Sequence, residues 1–266
     1  MKLALPPARI AFALVLIGLG ITGLVNGGFA LVWQYVPKGV PGYTALAYAC
    51  GVLELLAGLG LLFRSTITFA ARLSFALLLL WVILLKLPAF FTKPQLVETW
   101  GGFGEIGIIL AGTWVLFATH AGAWERRYLK FAVGDTGVRW ARALFILCLP
   151  MIGIVHLLES KGVADFVPAW LPFHYFLAYF TGSASFVAAL ALILGVCSRL
   201  AATLETVMLG IITVLCWGPI LSTGRTACTA FLISSAITVG AWLVAETYGN
   251  RPWLGRRDFG PKTATE

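Results

Sequence analysis

The sequence predicts an all-α integral membrane protein in which eight transmembrane helices form two parallel four-helix repeats. Three observations predict it: an apolar composition, an internal repeat and an uneven placement of basic residues. Of 266 residues, 60% are hydrophobic and 11% charged, too little polar surface to face water on every side. The repeat has a spacing of 131 residues. Tyr35-Val36-Pro37 with Pro41 returns as Phe166-Val167-Pro168 with Pro172, and Leu46-Ala47-Tyr48 with Gly51 as Leu177-Ala178-Tyr179 with Gly182. From Val36 to Pro88, 16 of 53 positions are identical in that register. Many of the matches are small or kinking residues, so a shared apolar bias does not account for them, and the chain reads as a tandem duplication.

A hydrocarbon core about 30 Å thick takes about 20 apolar residues per helix. Eight such runs lie between polar breaks, at roughly 9–32, 43–63, 69–91 and 101–119, then 140–158, 173–196, 200–221 and 226–247. The first follows Lys2 and Arg9 as a secretory signal would, but it is longer than a signal core and no small-x-small cleavage site follows it. It reads as a retained first helix. Val-Pro followed four residues later by Pro stops a helix and holds an extended turn, so the second and sixth spans start from the same outer connection. Pro88 and Pro219 kink or end the third and seventh spans near their outer ends. The expected organisation is a first repeat over 1–119, a linker over 120–139, a second repeat over 140–248 and a tail over 249–266. Trp124, Tyr128, Leu129 and Phe131 interleave with Glu125, Arg126, Arg127 and Lys130, as in a short helix lying in the interface. Gly134-Asp135-Thr136-Gly137 reads as a turn after it.

Four crossings return the second half to the side where the first began, so the repeats are parallel rather than inverted. The segments on one side carry 14 of the 19 basic residues, including Arg64, Arg72, Arg126, Arg127, Arg139, Arg142 and Arg199, against five on the other. By the positive-inside rule both termini and the linker are cytoplasmic, and the expected location is a bacterial-type inner membrane. That placement accounts for the net charge of +8. No basic groove interleaved with stacking aromatics is present, which argues against nucleic acid as a partner. Small residues recur where helices should touch, among them Gly18, Gly20, Gly23, Gly51, Gly58, Gly104 and Gly112. Gly18-Leu19-Gly20-Ile21-Thr22-Gly23 matches a dinucleotide fingerprint in letters only, since no strand precedes it.

Ionisable residues within spans are the candidates for function. Glu54 lies near the bilayer centre and is expected to be protonated or to take a donor from a neighbouring helix; its register partner is Ser185. His156 sits near the outer end of the fifth span with Glu159 one turn further on. Asn26, Lys86, Glu105, Asp165 and His174 are placed at the same outer level, so an outer-leaflet polar pocket is expected, with interfacial capping and snorkelling as the alternative. For His156, proton-coupled or quinone contact and metal ligation stand beside that alternative. Glu205 is assigned to a helix N-terminus. The five cysteines form no C-x-x-C pair and read as buried small residues.

A resemblance joins these readings. Gly153-Ile154-Val155-His156, Val167-Pro168-Ala169-Trp170-Leu171-Pro172, Tyr179-Phe180-Thr181-Gly182 and the run from Arg199-Leu200-Ala201-Ala202 to Pro219 resemble the DoxX-like family of small four-helix membrane proteins. Val36-Pro37, Pro41 and Gly51-Val52-Leu53-Glu54-Leu55-Leu56-Ala57-Gly58 resemble it in the first half. The family is usually a single four-helix unit, and here Glu54 and His156 each lack a counterpart in the other half. The resemblance implies a redox-associated membrane subunit that anchors or assists a larger complex and a protein partner. It equally allows a quinone-interacting subunit, with quinone as the cofactor and Glu54 and His156 exchanging protons with it. The parallel repeats also allow a small-solute transporter, and the chain holds no electron-carrying motif of its own.

Overall fold

The computed structural model describes residues 6–30 and 34–255. Lys2, Arg256, Arg257 and Lys262, four of the basic residues in the charge argument, lie outside them. Among the described residues the chain is helical, and eight helices are long and apolar enough to cross a membrane. The first half contributes α1 (Pro7–Asn26), α2 (Tyr43–Leu62), α3 (Ile67–Trp81), continued through a wide turn into the short α4 (Leu87–Thr92), and α5 (Val97–Thr119). The linker carries α6 (Ala123–Tyr128). The second half contributes α7 (Gly134–Leu158), the short α8 (Ser160–Asp165), α9 (His174–Leu194), α10 (Ser198–Ile212) and α11 (Arg225–Glu246).

Two boundaries differ from the sequence reading. The first span stops at Asn26, because Gly27 adopts a left-handed conformation at φ 58 and caps it. The fifth span starts at Gly134, not 140. Gly134-Asp135-Thr136-Gly137 is its first turn, where Asp135 faces the positive end of the helix dipole.

The duplication recurs in fine detail. Val82–Lys86 and Thr213–Trp217 are both single π-helical turns, 131 residues apart. Each ends two residues before a proline, Pro88 or Pro219. A proline ring collides with the carbonyl four residues earlier and offers no N–H to it; a widened turn relieves both problems. The connections from first to second span also match: Val40 N–H donates to Pro37 O at 3.1 Å, and Leu171 N–H to Pro168 O at 2.9 Å.

The register shifts along the chain. In the first helix it is 133: Ala8, Arg9, Phe12, Leu14, Leu16, Gly20, Ile21 and Leu24 correspond to Ala141, Arg142, Phe145, Leu147, Leu149, Gly153, Ile154 and Leu157. Burial follows it, since Ala8, Phe12 and Leu16 are buried like Ala141, Phe145 and Leu149. In the fourth helix it is 128: Phe103, Ile109, Gly112, Trp114 and Thr119 correspond to Phe231, Ile237, Gly240, Trp242 and Thr247.

Packing completes the pseudo-twofold. Within each half the first helix packs on the second, the second on the third and the third on the fourth. The fourth helix then crosses over: α5 takes α7 of the other half as its main partner, and α11 lies along α1. The two fourth helices meet at the centre, where α5 has 78% of its apolar stretch buried and α11 has 56%. Their contact is glycine on glycine. A Cβ placed on Gly112 would lie 2.6 Å from Gly240 Cα, and one on Gly240 would lie 2.9 Å from Ile108 O. Because Gly112 and Gly240 are register partners, they mark the axis relating the halves.

Candidate functional site

The polar residues inside the bundle form separate clusters rather than one pocket. The first surrounds Glu54, which is buried on α2 at 2% exposure. Its partner is Gln34, supplied by the connection between α1 and α2: Nε2 donates to Glu54 Oε1 at 2.6 Å. Cys50, one turn before Glu54, directs its thiol at the same oxygen at 3.6 Å. Gln34 is itself held, its Oε1 accepting Ala30 N–H at 2.9 Å. A void of about 10 Å³ adjoins them, lined by Thr22, Gly23, Arg225 and Thr229 among others. Such a space accommodates about one water molecule. Arg225, in its lining, donates to Phe29 O at 3.4 Å.

The second half holds the same pair of residue types with their helices exchanged. Ser185 is the register partner of Glu54, and Glu205 is the register partner of Ser74. Ser185 on α9 donates to Glu205 Oε1 on α10 at 2.8 Å. Glu205 is therefore not satisfied by the N-terminus of its helix, as the sequence suggested. It stands seven residues beyond the first residue of α10, Ser198, past the last free N–H of the opening turn.

His156 forms a third cluster. Its Nδ1 lies 2.7 Å from Thr181 Oγ1. The Thr181 hydroxyl also lies 2.9 Å from Leu177 O of its own helix, so the pair ties α7 to α9. His156 faces α9 of its own half. It is separate from the void beside Glu54, which Arg225 and Thr229 of the second half help to line.

Of the remaining candidates only Lys86 and Glu105 come near each other. Lys86, in the wide turn after α3, extends over Gly102 of α5 with Glu105 one turn below it, without closing an ion pair. Asn26 is exposed and donates to Thr22 O at 2.7 Å, ending α1. Glu159 and Asp165 are exposed, and His174 is partly exposed at the first position of α9. Of the expected outer-leaflet pocket, the structure brings together only Lys86 and Glu105, which are close enough to interact electrostatically; Asn26 bonds its own helix, and Glu159, Asp165 and His174 remain at least partly exposed. Cys50 and Cys148 are buried, while Cys197, Cys216 and Cys228 are partly exposed; all five are free thiols. Among the described residues no three His, Cys, Asp or Glu side chains converge as a metal site requires.

Two features went unread in the sequence. Gln34, the register partner of Asp165, had no helical periodicity to place it inside. Glu125, within the linker, is 1% exposed and forms an ion pair with Arg72 on α3, so the linker is docked onto the first half. Compared with protein-family models, with curated proteins and with solved structures, the chain matches none.

Proposed function

We propose that the chain is a DoxX-like membrane subunit that anchors or assembles a protein partner within a redox-associated complex, and does not carry out electron transfer itself. The observation that supports this reading is the condition of Glu54. Its carboxyl is held by Gln34 at 2.6 Å beside a void of about 10 Å³, whereas a site for a small organic ligand occupies about 300 Å³ or more. A quinone headgroup does not fit beside Glu54, and His156 is engaged on another face by Thr181. Both residues then serve the bundle as hydrogen-bonding groups that fix helix pairs, leaving the molecule a rigid platform. In this reading both termini and the linker face the cytoplasm of a bacterial-type inner membrane, where α6 presents Arg126, Arg127 and Tyr128 to a partner.

The test is purification from the native membrane in a mild detergent, with protein stoichiometry and lipid-extract quinone measured on the same sample. A partner at fixed stoichiometry without quinone is the expected result. Quinone retained at one per chain, and lost in both Glu54→Ala and His156→Ala, would overturn the proposal in favour of the quinone-interacting alternative. Labelling of single cysteines introduced into the linker and at Gly249 tests the orientation; modification from outside intact cells would reverse it.

A further inference from the structure

The ends of the third and fourth helices on the side of the termini are built alike in the two halves but finished differently. In the first half the groove between α3 and α5 is plugged. Phe75 stacks on Phe117 with ring centroids 4.9 Å apart. Trp114 donates its indole N–H to Ala132 O at 2.9 Å, and Glu125 pairs with Arg72. In the second half, Thr206 stands in the register of Phe75 and Ala245 in that of Phe117. Two aromatic rings are thereby replaced by a hydroxyl and a methyl group. The groove between α10 and α11 is consequently open, a cavity of about 470 Å³. Trp242, the counterpart of Trp114, lines it, and its indole N–H has no hydrogen-bond partner among the described residues.

The mouth of the groove carries one charge of each sign. Arg199 is stacked beneath the Trp253 ring at 4.1 Å, which holds the guanidinium plane at the opening. Glu246 stands on the α11 side and also takes the Ala8 backbone N–H. Thr203 and Thr206 commit their hydroxyl hydrogens to Arg199 O and Ala202 O, each at 2.8 Å, so their oxygens face the cavity as acceptors. Val207 and Ala245 make the deeper wall apolar. The groove also borders lipid: Leu204, Val207 and Ile211 of α10 are 57%, 50% and 53% exposed.

We propose that this groove is a binding site for one zwitterionic aminophospholipid of the leaflet on the termini side. The phosphate accepts from Arg199 and from the free Trp242 N–H. The ammonium lies against Glu246 and the threonine oxygens, and an acyl chain fills the volume that Phe75 and Phe117 fill in the other half. The volume falls in the range of about 300–1,000 Å³ usual for small-ligand sites. Glu246 is the selective element, because a lipid with net negative charge leaves that carboxylate without a cation and adds repulsion. The site is independent of the proposed role as a platform and requires no partner protein.

The experiment uses the full chain in nanodiscs of dioleoyl phosphatidylethanolamine and dioleoyl phosphatidylglycerol in equal amounts, followed by stepwise extraction into detergent and native mass spectrometry. One phosphatidylethanolamine per chain should survive extraction, in preference to phosphatidylglycerol. Arg199→Gln and Trp242→Phe should each lower retention about tenfold, the expected loss of one hydrogen bond to a charged group. Glu246→Gln should keep retention and remove the headgroup preference. The double variant Thr206→Phe with Ala245→Phe rebuilds the aromatic plug of the first half; it should abolish retention without lowering the thermal midpoint. Four outcomes would overturn the proposal: no retained lipid, phosphatidylglycerol retained at least as well, retention unchanged by the plug, or lipid retained only after truncation beyond Gly255. The last would assign the groove to the chain's own tail.

Discussion

One carboxyl per half sits at the contact between second and third helices, but opposite helices carry it. Glu205 is met directly by Ser185 across the helix pair. Ser74, in the corresponding place, turns its hydroxyl back to Ala70 O at 2.8 Å, and Glu54 takes Gln34 instead. A double-mutant cycle on Glu205→Ala and Ser185→Ala, read by unfolding in detergent, should therefore give a coupling of about 1 kcal/mol. The cycle on Glu54→Ala and Gln34→Ala should give a coupling of the same sign, and that on Glu54→Ala and Ser74→Ala should give about zero. Glu54 was legible because a lone carboxylate amid apolar residues stands out. The partner of Glu205 was not, because it lies 20 residues away on another helix and emerges only when the two halves are superposed. His120, just beyond α5, is pushed below its ordinary value first by burial and further by Arg9, while its Nδ1–H bond to Leu116 O at 3.0 Å opposes the shift. The folded chain thus binds less proton at this site than the unfolded chain. The stabilisation from neutral His120 is complete above the unfolded value of about 6.5 and is lost as the pH falls below it. His120→Gln should flatten the acid limb of a stability profile below about pH 6.5; an unchanged limb would exclude His120 as its source.

Helix contacts depend on where side chains are missing. A Cβ added to Gly20 would lie 2.7 Å from Gly51 O and one added to Gly153 would lie 2.8 Å from Gly182 O, so the first and second helices of each half approach through matching glycines. At the Gly112 and Gly240 contact, an added methyl group has no flexible neighbour to displace, only backbone. Gly112→Ala should cost about 1–3 kcal/mol in unfolding free energy, whereas Gly210→Ala, whose nearest neighbour is 3.4 Å away, should fall within about 0.5 kcal/mol of the parent. Equal effects would remove the axis from its central place. The abundance of small residues announced close helices, yet which glycine meets which depends on register shifts from 133 to 131 to 128 that loop lengths introduce. The prolines show the same division. Their positions marked interruptions of the third and seventh spans, and a wide π-helical turn precedes each: beyond it the third span resumes as α4, whereas the seventh ends at Trp217, two residues before Pro219. Replacing Pro88 by Ala restores that N–H and should convert Val82–Lys86 to ordinary α-helix, seen as altered cysteine accessibility across α4.

The halves are repeats in sequence but not independent bodies. Each fourth helix has its main contacts beyond its own half: Gly101, Gly104 and Gly107 of α5 receive Val155, Ile152 and Cys148 of α7, and Gly18 of α1 lies beneath Leu232 of α11. Four spans per half and their common direction were readable from hydropathy and parity, since both depend only on helix length and count. The exchange of fourth helices was not, because hydropathy carries no information about which apolar face meets which. It has a direct consequence for the chain cut in the linker. A fragment ending at Gly122 leaves α5 without α7 and exposes its glycine face to lipid, and the complementary fragment leaves α11 without α1. In lipid, close packing of small residues supplies the association energy that water would otherwise supply through burial, so neither fragment can replace what it loses. Expressed alone, each should be degraded or extracted as aggregate; expressed together, they should co-purify as a one-to-one complex with the thermal midpoint lowered by only a few degrees. The variant Gly112→Leu should abolish co-purification, since it blocks the contact on the axis. Two fragments that are each monodisperse and stable alone would show that the repeats fold separately, and that the crossing of α5 and α11 between halves does not hold this protein together.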